Sequence, residues 1–324
     1  MAVTDTETTP ARPAPAAAPE AVPLKLRAIR LGYRTLGAVA PGYCGKKATD
    51  HFLGTRPMGG KTDDTMPLGA KRIKFKNAPI ERGYVWGEKG NPIVLLVHGW
   101  GADSSSMFGM AKPLVEAGYR VVAFDAPGHG VSTGDHTTMT DFSNAVLGVM
   151  NSLGDIEAVI AHSLGSIATI SATARREGRG PKRVALVSAP CTLPRVMEAW
   201  AGYLHISKPV FQVMREQLWS RNGVPVDHWN IAELGKDLDI PVLLVHDNDD
   251  LLVRIEEADK IHAALKNTRL RESSGLGHRQ ILFDRGVLDD LVAFVAGARD
   301  ETAAEPAPAV AEPGVEAGAE GRVA

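Results

Sequence analysis

Ser163 sits in the stretch Ala158-Val159-Ile160-Ala161-His162-Ser163-Leu164-Gly165-Ser166, where an apolar, β-branched run leads into one hydroxyl and small, helix-compatible residues follow. That order reads as strand, sharp turn, helix. A strained turn of this kind thrusts its central hydroxyl outward and crowds both flanks, so the residues two before and two after must be small. Here they are Ala161 and Gly165, with one methyl more than the G-x-S-x-G pattern has at the first position. A serine so displayed is a nucleophile if a base takes its proton.

The elements that would position it come from the rest of the chain. Ile93 to Val97, Val121 to Phe124, Val184 to Val187 and Val242 to Val245 are short, uninterrupted apolar runs like Ala158 to Ala161. They suit strands buried on both faces of a parallel sheet. Arg72 to Lys76 and Arg82 to Trp86 read as an opening strand pair with Asn77-Ala78-Pro79 as the turn. Helical patterns over about 105–116, 140–152, 164–176, 255–264 and 287–296 separate the runs. The alternation predicts a doubly wound α/β sheet.

Ligands of such sheets bind beyond the carboxyl ends of the strands. The residues there are His98-Gly99-Trp100-Gly101, Asp125-Ala126-Pro127-Gly128-His129-Gly130, His162-Ser163 and His246-Asp247-Asn248-Asp249-Asp250, with Gly275-Leu276-Gly277-His278 before the last helix. His98, His129 and His162 are expected to stabilise loops. The acidic run 247–250 does not fit an EF-hand, because the sixth and twelfth positions are Leu252 and Ala258. Without a P-loop or dinucleotide fingerprint, no cofactor and no metal are expected.

On these motifs the chain resembles an α/β-hydrolase and is similar to a broad group of bacterial serine hydrolases and esterases. The resemblance spans about residues 72 to 298 and keeps the order Ser, acid, His. It implies an α/β-hydrolase fold with Ser163 as nucleophile and His278 as base. The acid in such proteins follows the penultimate strand in a pattern like H-G-x-x-D-x-x-V; matching His246 and Val253 to it places Asp250 at the acid position, with Asp249 second. Asp247 replaces the Gly of that pattern, and Arg254 the Pro that often follows it. Backbone N–H groups of Trp100 and Leu164 would form the oxyanion hole. The implied activity is cleavage of a carboxylic ester, or a thioester, through an acyl-serine. The same groups could transfer the acyl unit to an alcohol or amine, or cleave a carbon–carbon bond in a diketone. A non-catalytic binding protein that kept the fold is the rival from another class.

Residues 191–239 are too long for a simple crossover and read as a small helical cap. Met197, Trp200 and Leu204 recur at helical spacing, as do Phe211, Met214 and Leu218; Trp200, Phe211 and Met214 are the candidate substrate-binding residues. Before the hydrolase-like domain at 71–298, residues 23–70 divide into a basic amphipathic helix, about 23–40, and an irregular connector, 41–70. That helix is suited either to lie on an anionic membrane surface or to dock its apolar stripe on the main domain. Residues 1–22 and 299–324 are rich in Ala, Pro, Glu, Thr and Gly and read as disordered tails. The net charge of -2 gives no footprint for nucleic acid. Two cysteines without a CxxC, no basic-then-apolar leader and no apolar run of about 18 residues point to a cytoplasmic protein. A small ester or thioester as its substrate is what the resemblance implies.

Overall fold

The computed structural model describes residues 23–55 and 66–297, apart from Asn77, Glu81 and Glu177. Both expected tails, residues 56–65 of the connector and Asn77 of the first turn lie outside the described residues. The strands are β1 (Lys71–Lys74), β2 (Arg82–Trp86), β3 (Ile93–Val97), β4 (Arg120–Phe124), β5 (Ala158–His162), β6 (Arg183–Val187), β7 (Val242–Asp247) and β8 (Thr268–Ser273). They form one sheet in the order β1-β2-β4-β3-β5-β6-β7-β8. The β1–β2 and β2–β4 pairs are antiparallel and the others parallel. The helices are α1 (Leu24–Val39), α2 (Pro41–Leu53), α3 (Ala111–Glu116), α4 (Met139–Leu153), α5 (Leu164–Ala174), α6 (Leu193–Tyr203), α7 (Lys208–Asn222), α8 (Ile231–Leu234), α9 (Ile255–Ala264), α10 (Gly277–Gln280) and α11 (Arg285–Val295).

The apolar runs dictate two cores. Along β3, Leu95 and Val97 join one buried cluster while Val94 and Leu96 join the other, and β4 and β5 divide in the same way. A strand apolar on both faces must be covered on both. Phe52 of α2, Phe142 of α4, Ile167 of α5, Met214 of α7 and Ile261 of α9 cover the first face. Leu114 of α3 and Leu291 and Phe294 of α11 cover the second.

The structure departs from the sequence reading at three places. Residues 41–53 form α2 and are not irregular. Pro41 starts that helix at a position where its missing N–H costs nothing, and its buried stripe is Cys44, Gly45, Ala48, Thr49, Phe52 and Leu53. Most of the stripe is small, so it reads as polar in a sequence scan, yet it brings α2 close to α7. A Cβ on Gly45 would lie 2.5 Å from Val213 side-chain atoms and 3.1 Å from the Val210 carbonyl. Second, β8 went unpredicted because every one of its residues is at least partly exposed, as an edge strand allows. Third, the helix expected over 105–116 is a 3₁₀ segment, Ser104–Met110, followed by α3. Pro113 is tolerated in the first turn of α3, where no intrahelical partner is owed.

Candidate active site

β5 ends at His162, and α5 begins at Leu164, leaving Ser163 to make the whole turn. It does so with φ 52 and ψ -130, a conformation that costs a non-glycine residue about 1–3 kcal/mol. The turn is held by Ser163 N–H donating to the Val187 carbonyl at 3.0 Å and by Ser166 N–H donating back to the Ser163 carbonyl at 2.9 Å. Gly165 is required by close approach: a Cβ there would sit 2.3 Å from the His98 carbonyl. Ala161 is accommodated because its methyl is fully buried in the first core.

The structure brings the three residues expected to react into one line. His278 Nε2 lies 3.1 Å from Ser163 Oγ, and its Nδ1 lies 2.7 Å from Asp250 Oδ2. Asp250 is fully buried, and its Oδ1 accepts the N–H groups of Leu252 and Val253, both at 2.9 Å. His246 fixes the same loop from beneath, with Nε2 2.8 Å from the Val253 carbonyl. Burial pushes the Asp250 carboxyl upward in pKa, but the hydrogen bond and charge of His278 and the Val253 and Leu252 amides outweigh it and hold the group below the usual carboxylate value. Asp249 points elsewhere: it is exposed and accepts Gly275 N–H at 2.8 Å.

Sequence reasoning gave Asp247 no role, and the structure supplies one. Its carboxylate accepts from Asp249 N–H (3.0 Å), Gly277 N–H (2.9 Å), Leu276 N–H (3.1 Å) and Ser273 Oγ–H (2.7 Å). It therefore ties the acid loop to the histidine loop. Burial opposes ionisation, and these four donors more than offset it, so the pKa of Asp247 also falls. A carboxylate at the family's Gly position was the available signal.

The expected oxyanion donors lie on two facing segments. Leu164 is the first residue of α5, where backbone N–H groups lack intrahelical partners. Trp100 follows Gly99 in a loop fastened by two histidines. His98 Nε2 accepts Ala126 N–H at 3.0 Å, so its Nδ1–H donates to the Gly99 carbonyl at 2.7 Å. His129 Nε2 accepts Gly101 N–H at 3.1 Å, so Nδ1–H faces the Pro127 carbonyl at 3.1 Å. Asp125 adds bonds from Ser104 N–H at 2.8 Å and Val131 N–H at 2.9 Å. The Trp100 indole packs in an aromatic cluster with Phe52, His129 and Phe142.

His162 binds the machinery from within. Its Nε2–H donates to the His278 carbonyl at 2.9 Å, and its ring lies 4.8 Å from the His278 ring. Its Nδ1 has no partner among the described residues. Burial, reinforced by His278, lowers its pKa from 6.5 to about 3, so this histidine is neutral.

Of the candidate substrate-binding residues, Met214 is wholly buried in the first core and offers no surface to a ligand. Trp200 and Phe211 are partly buried against that core. Trp200 meets Phe52 edge-on at 5.3 Å, and Phe52 stacks on Trp100 at 6.3 Å. The insertion thus reaches the loop after β3 through α2, a link hidden in sequence because α2 read as irregular. Thr55, just past α2, donates from Oγ1 to the Gly128 carbonyl at 2.5 Å.

The alpha/beta hydrolase family model matches residues 94–305. The chain belongs to the alpha/beta hydrolase family. Within it, this hydrolase is similar to the bifunctional esterase/perhydrolase DCH of Acinetobacter calcoaceticus, 25% identical over 260 residues that cover 65% of this chain and 94% of that one. It is also similar to the non-heme chloroperoxidase CPO-A1 of Kitasatospora aureofaciens, 28% identical over 244 residues, 60% of this chain and 86% of that one. Among solved structures, a serine hydrolase from Cycloclasticus zankles superposes with a TM-score of 0.56 at 15% identity, covering 72% of this chain and all of the other (100%). The last likeness shows the shared fold.

Proposed function

We propose that this hydrolase cleaves a carboxylic ester, or a thioester, through an acyl-Ser163 intermediate. The observation that carries the reading is the line from Asp250 through His278 to Ser163, with separations of 2.7 and 3.1 Å. His278 Nε2 takes the hydroxyl proton as Ser163 Oγ attacks the substrate carbonyl carbon. The carbonyl electron pair moves to its oxygen, which the N–H groups of Leu164 and Trp100 receive. The C–O or C–S bond then breaks, and His278 gives the proton to the leaving group. Water, deprotonated by the same nitrogen, attacks the acyl carbon and frees Ser163. Asp250 keeps the proton of the resting imidazole on Nδ1, so Nε2 is free to accept, and it stabilises the imidazolium.

In this reading α6 and α7 act as a cap over the acyl group, with Trp200 and Phe211 as its apolar contacts. The names of the esterase/perhydrolase and chloroperoxidase relatives favour a second outcome at the same acyl-serine. Hydrogen peroxide in place of water would release a peracid. The test is intact-mass analysis after treatment with a fluorophosphonate. Wild-type protein gains one adduct, Ser163→Ala gains none and keeps its circular dichroism, and p-nitrophenyl butyrate hydrolysis is lost with the adduct. Equal labelling of both proteins would move the nucleophile elsewhere. Adding peroxide to the ester assay and trapping the peracid measures the second outcome.

A further inference from the structure

Helix α1 is docked on the fold by one face only. Leu26, Ile29, Arg30 and Tyr33 are half-buried, and Gly37 is the single buried residue of the helix. Gly37 lies close to Val210 of α7, where an added Cβ would be 3.0 Å from Val210 Cγ2. Arg30 Nε–H donates to the Tyr203 carbonyl at 2.8 Å, and its guanidinium stacks over the Tyr203 ring at 4.9 Å. Docking of an apolar stripe therefore accounts for half of the helix.

The opposite face is apolar as well apart from Thr35, whose hydroxyl donates to the Leu31 carbonyl at 2.9 Å. Leu24, Ala28, Leu31, Ala38 and Val39 fall within one arc at 3.6 residues per turn and are exposed, Leu24 to 80%, Leu31 to 55% and Val39 to 79%. Arg27 and Arg34, also exposed, flank that arc on one side. The helix carries Lys25, Arg27, Arg30 and Arg34 and no acidic residue. A groove lined by Leu24, Arg27, Leu31, Arg34 and His205 runs along its junction with the α6–α7 turn.

A core-covering helix turns cations, not leucines, toward solvent. Exposed leucines edged by arginines fit a medium that is apolar a few ångströms beneath an anionic surface, which is the interfacial layer of a bilayer. We infer that the outer face of α1 docks this protein on membranes containing anionic lipid, lying in the headgroup plane. Among the described residues no helix is long and apolar enough to cross a membrane, so the attachment is peripheral. Charge complementarity selects the lipid: a row of cations without acids gains about fivefold in binding per cation near an anionic leaflet and nothing at a neutral one.

The test is co-sedimentation of full-length protein with vesicles of phosphatidylcholine alone or mixed with phosphatidylglycerol. Wild type binds the mixed vesicles, and added salt releases it. Arg27→Gln with Arg34→Gln weakens binding about 25-fold, at about fivefold per cation. Leu24→Glu with Leu31→Glu abolishes it. All of these proteins retain wild-type hydrolysis of a water-soluble short-chain ester, which reports an intact fold. Absence of wild-type binding to the mixed vesicles, or binding by either double variant as strong as that of the wild type, overturns the inference. So does a wild-type dimer in sedimentation velocity that the Leu24/Leu31 variant dissociates while vesicle binding stays at background, because the face would then be a self-association surface.

Discussion

Replacing Asp250 by Asn separates position from charge. The two N–H groups on Oδ1, at 2.9 Å each, require an oxygen there. In the variant the amide oxygen stays with those donors, and the NH₂ faces His278 Nδ1 at the 2.7 Å contact. The imidazole must then carry its proton on Nε2, aimed at Ser163 Oγ, and cannot accept the hydroxyl proton. Restoring the working tautomer means turning the amide over, which leaves the Leu252 and Val253 N–H groups unpaired. At about 1–3 kcal/mol each, that is about 2–6 kcal/mol in all. At about 1.4 kcal/mol per decade, kcat for p-nitrophenyl butyrate should fall by about 30-fold to about 10⁴-fold. Asp249→Asn is the control. Its oxygen still reaches Gly275 N–H, and kcat should change less than about tenfold. Thermal melts by circular dichroism establish that both variants fold. An Asp250→Asn enzyme within tenfold of wild type, or an Asp249→Asn enzyme that is slower still, would refute the reasoning.

Stability should fall on acidification. The unfolded chain protonates His162 below about pH 6.5, whereas the folded chain resists until about 3, so unfolding takes up a proton across that window and stability drops by about 1.4 kcal/mol per pH unit. Asp247 and Asp250, both held below the ordinary 3.8, lose their contributions only as pH falls through and below that value. Calorimetry should find the His162→Gln melting temperature less dependent on pH between about 6.5 and 4; an unchanged slope would assign the effect to other groups. Gly45→Leu should cost about 1–3 kcal/mol in urea unfolding by forcing α2 from α7, while Gly42→Ala, with nothing within 4 Å of its added methyl, should cost little; equal losses would deny the close contact. On a series of aryl esters, kcat/KM should rise from acetyl to about C8 by at most about fourfold per methylene, and Trp200→Ala or Phe211→Ala should flatten the rise if that residue contacts the acyl chain. A steady decline from acetyl onward would contradict an apolar acyl pocket.

What could be read from sequence was whatever the sheet core and the strand-end turns impose. The apolar runs of β3 to β7 must be covered on two faces, and only small residues fit around Ser163, so both left marks in composition. The position of Asp250 opposite His278 came from a loop pattern, and the structure sets the pair at hydrogen-bond distance. Helix α2 was hidden because a contact made by Cys44, Gly45, Ala48 and Thr49 depends on closeness, and closeness selects small residues that no hydropathy pattern marks. The edge strand β8 was hidden for the opposite reason, since partial exposure lets Arg269, Arg271 and Glu272 serve in a strand. Asp247 was passed over because its four donors are mostly backbone groups, which no side-chain motif encodes.

The contact between α2 and α7 joins segments that the ribosome makes far apart in time. Helix α2 ends at Leu53, and its partner is complete only at Asn222, with six strands of the sheet made in between. At roughly 5–20 residues per second, the stripe containing Phe52 and Leu53 waits on the order of ten to thirty seconds for its cover. Over that interval the nascent chain carries an unpartnered apolar surface near its leading end. Biosynthesis of this protein therefore favours slow initiation or a holdase at the ribosome exit, and rapid overexpression should drive it toward aggregates.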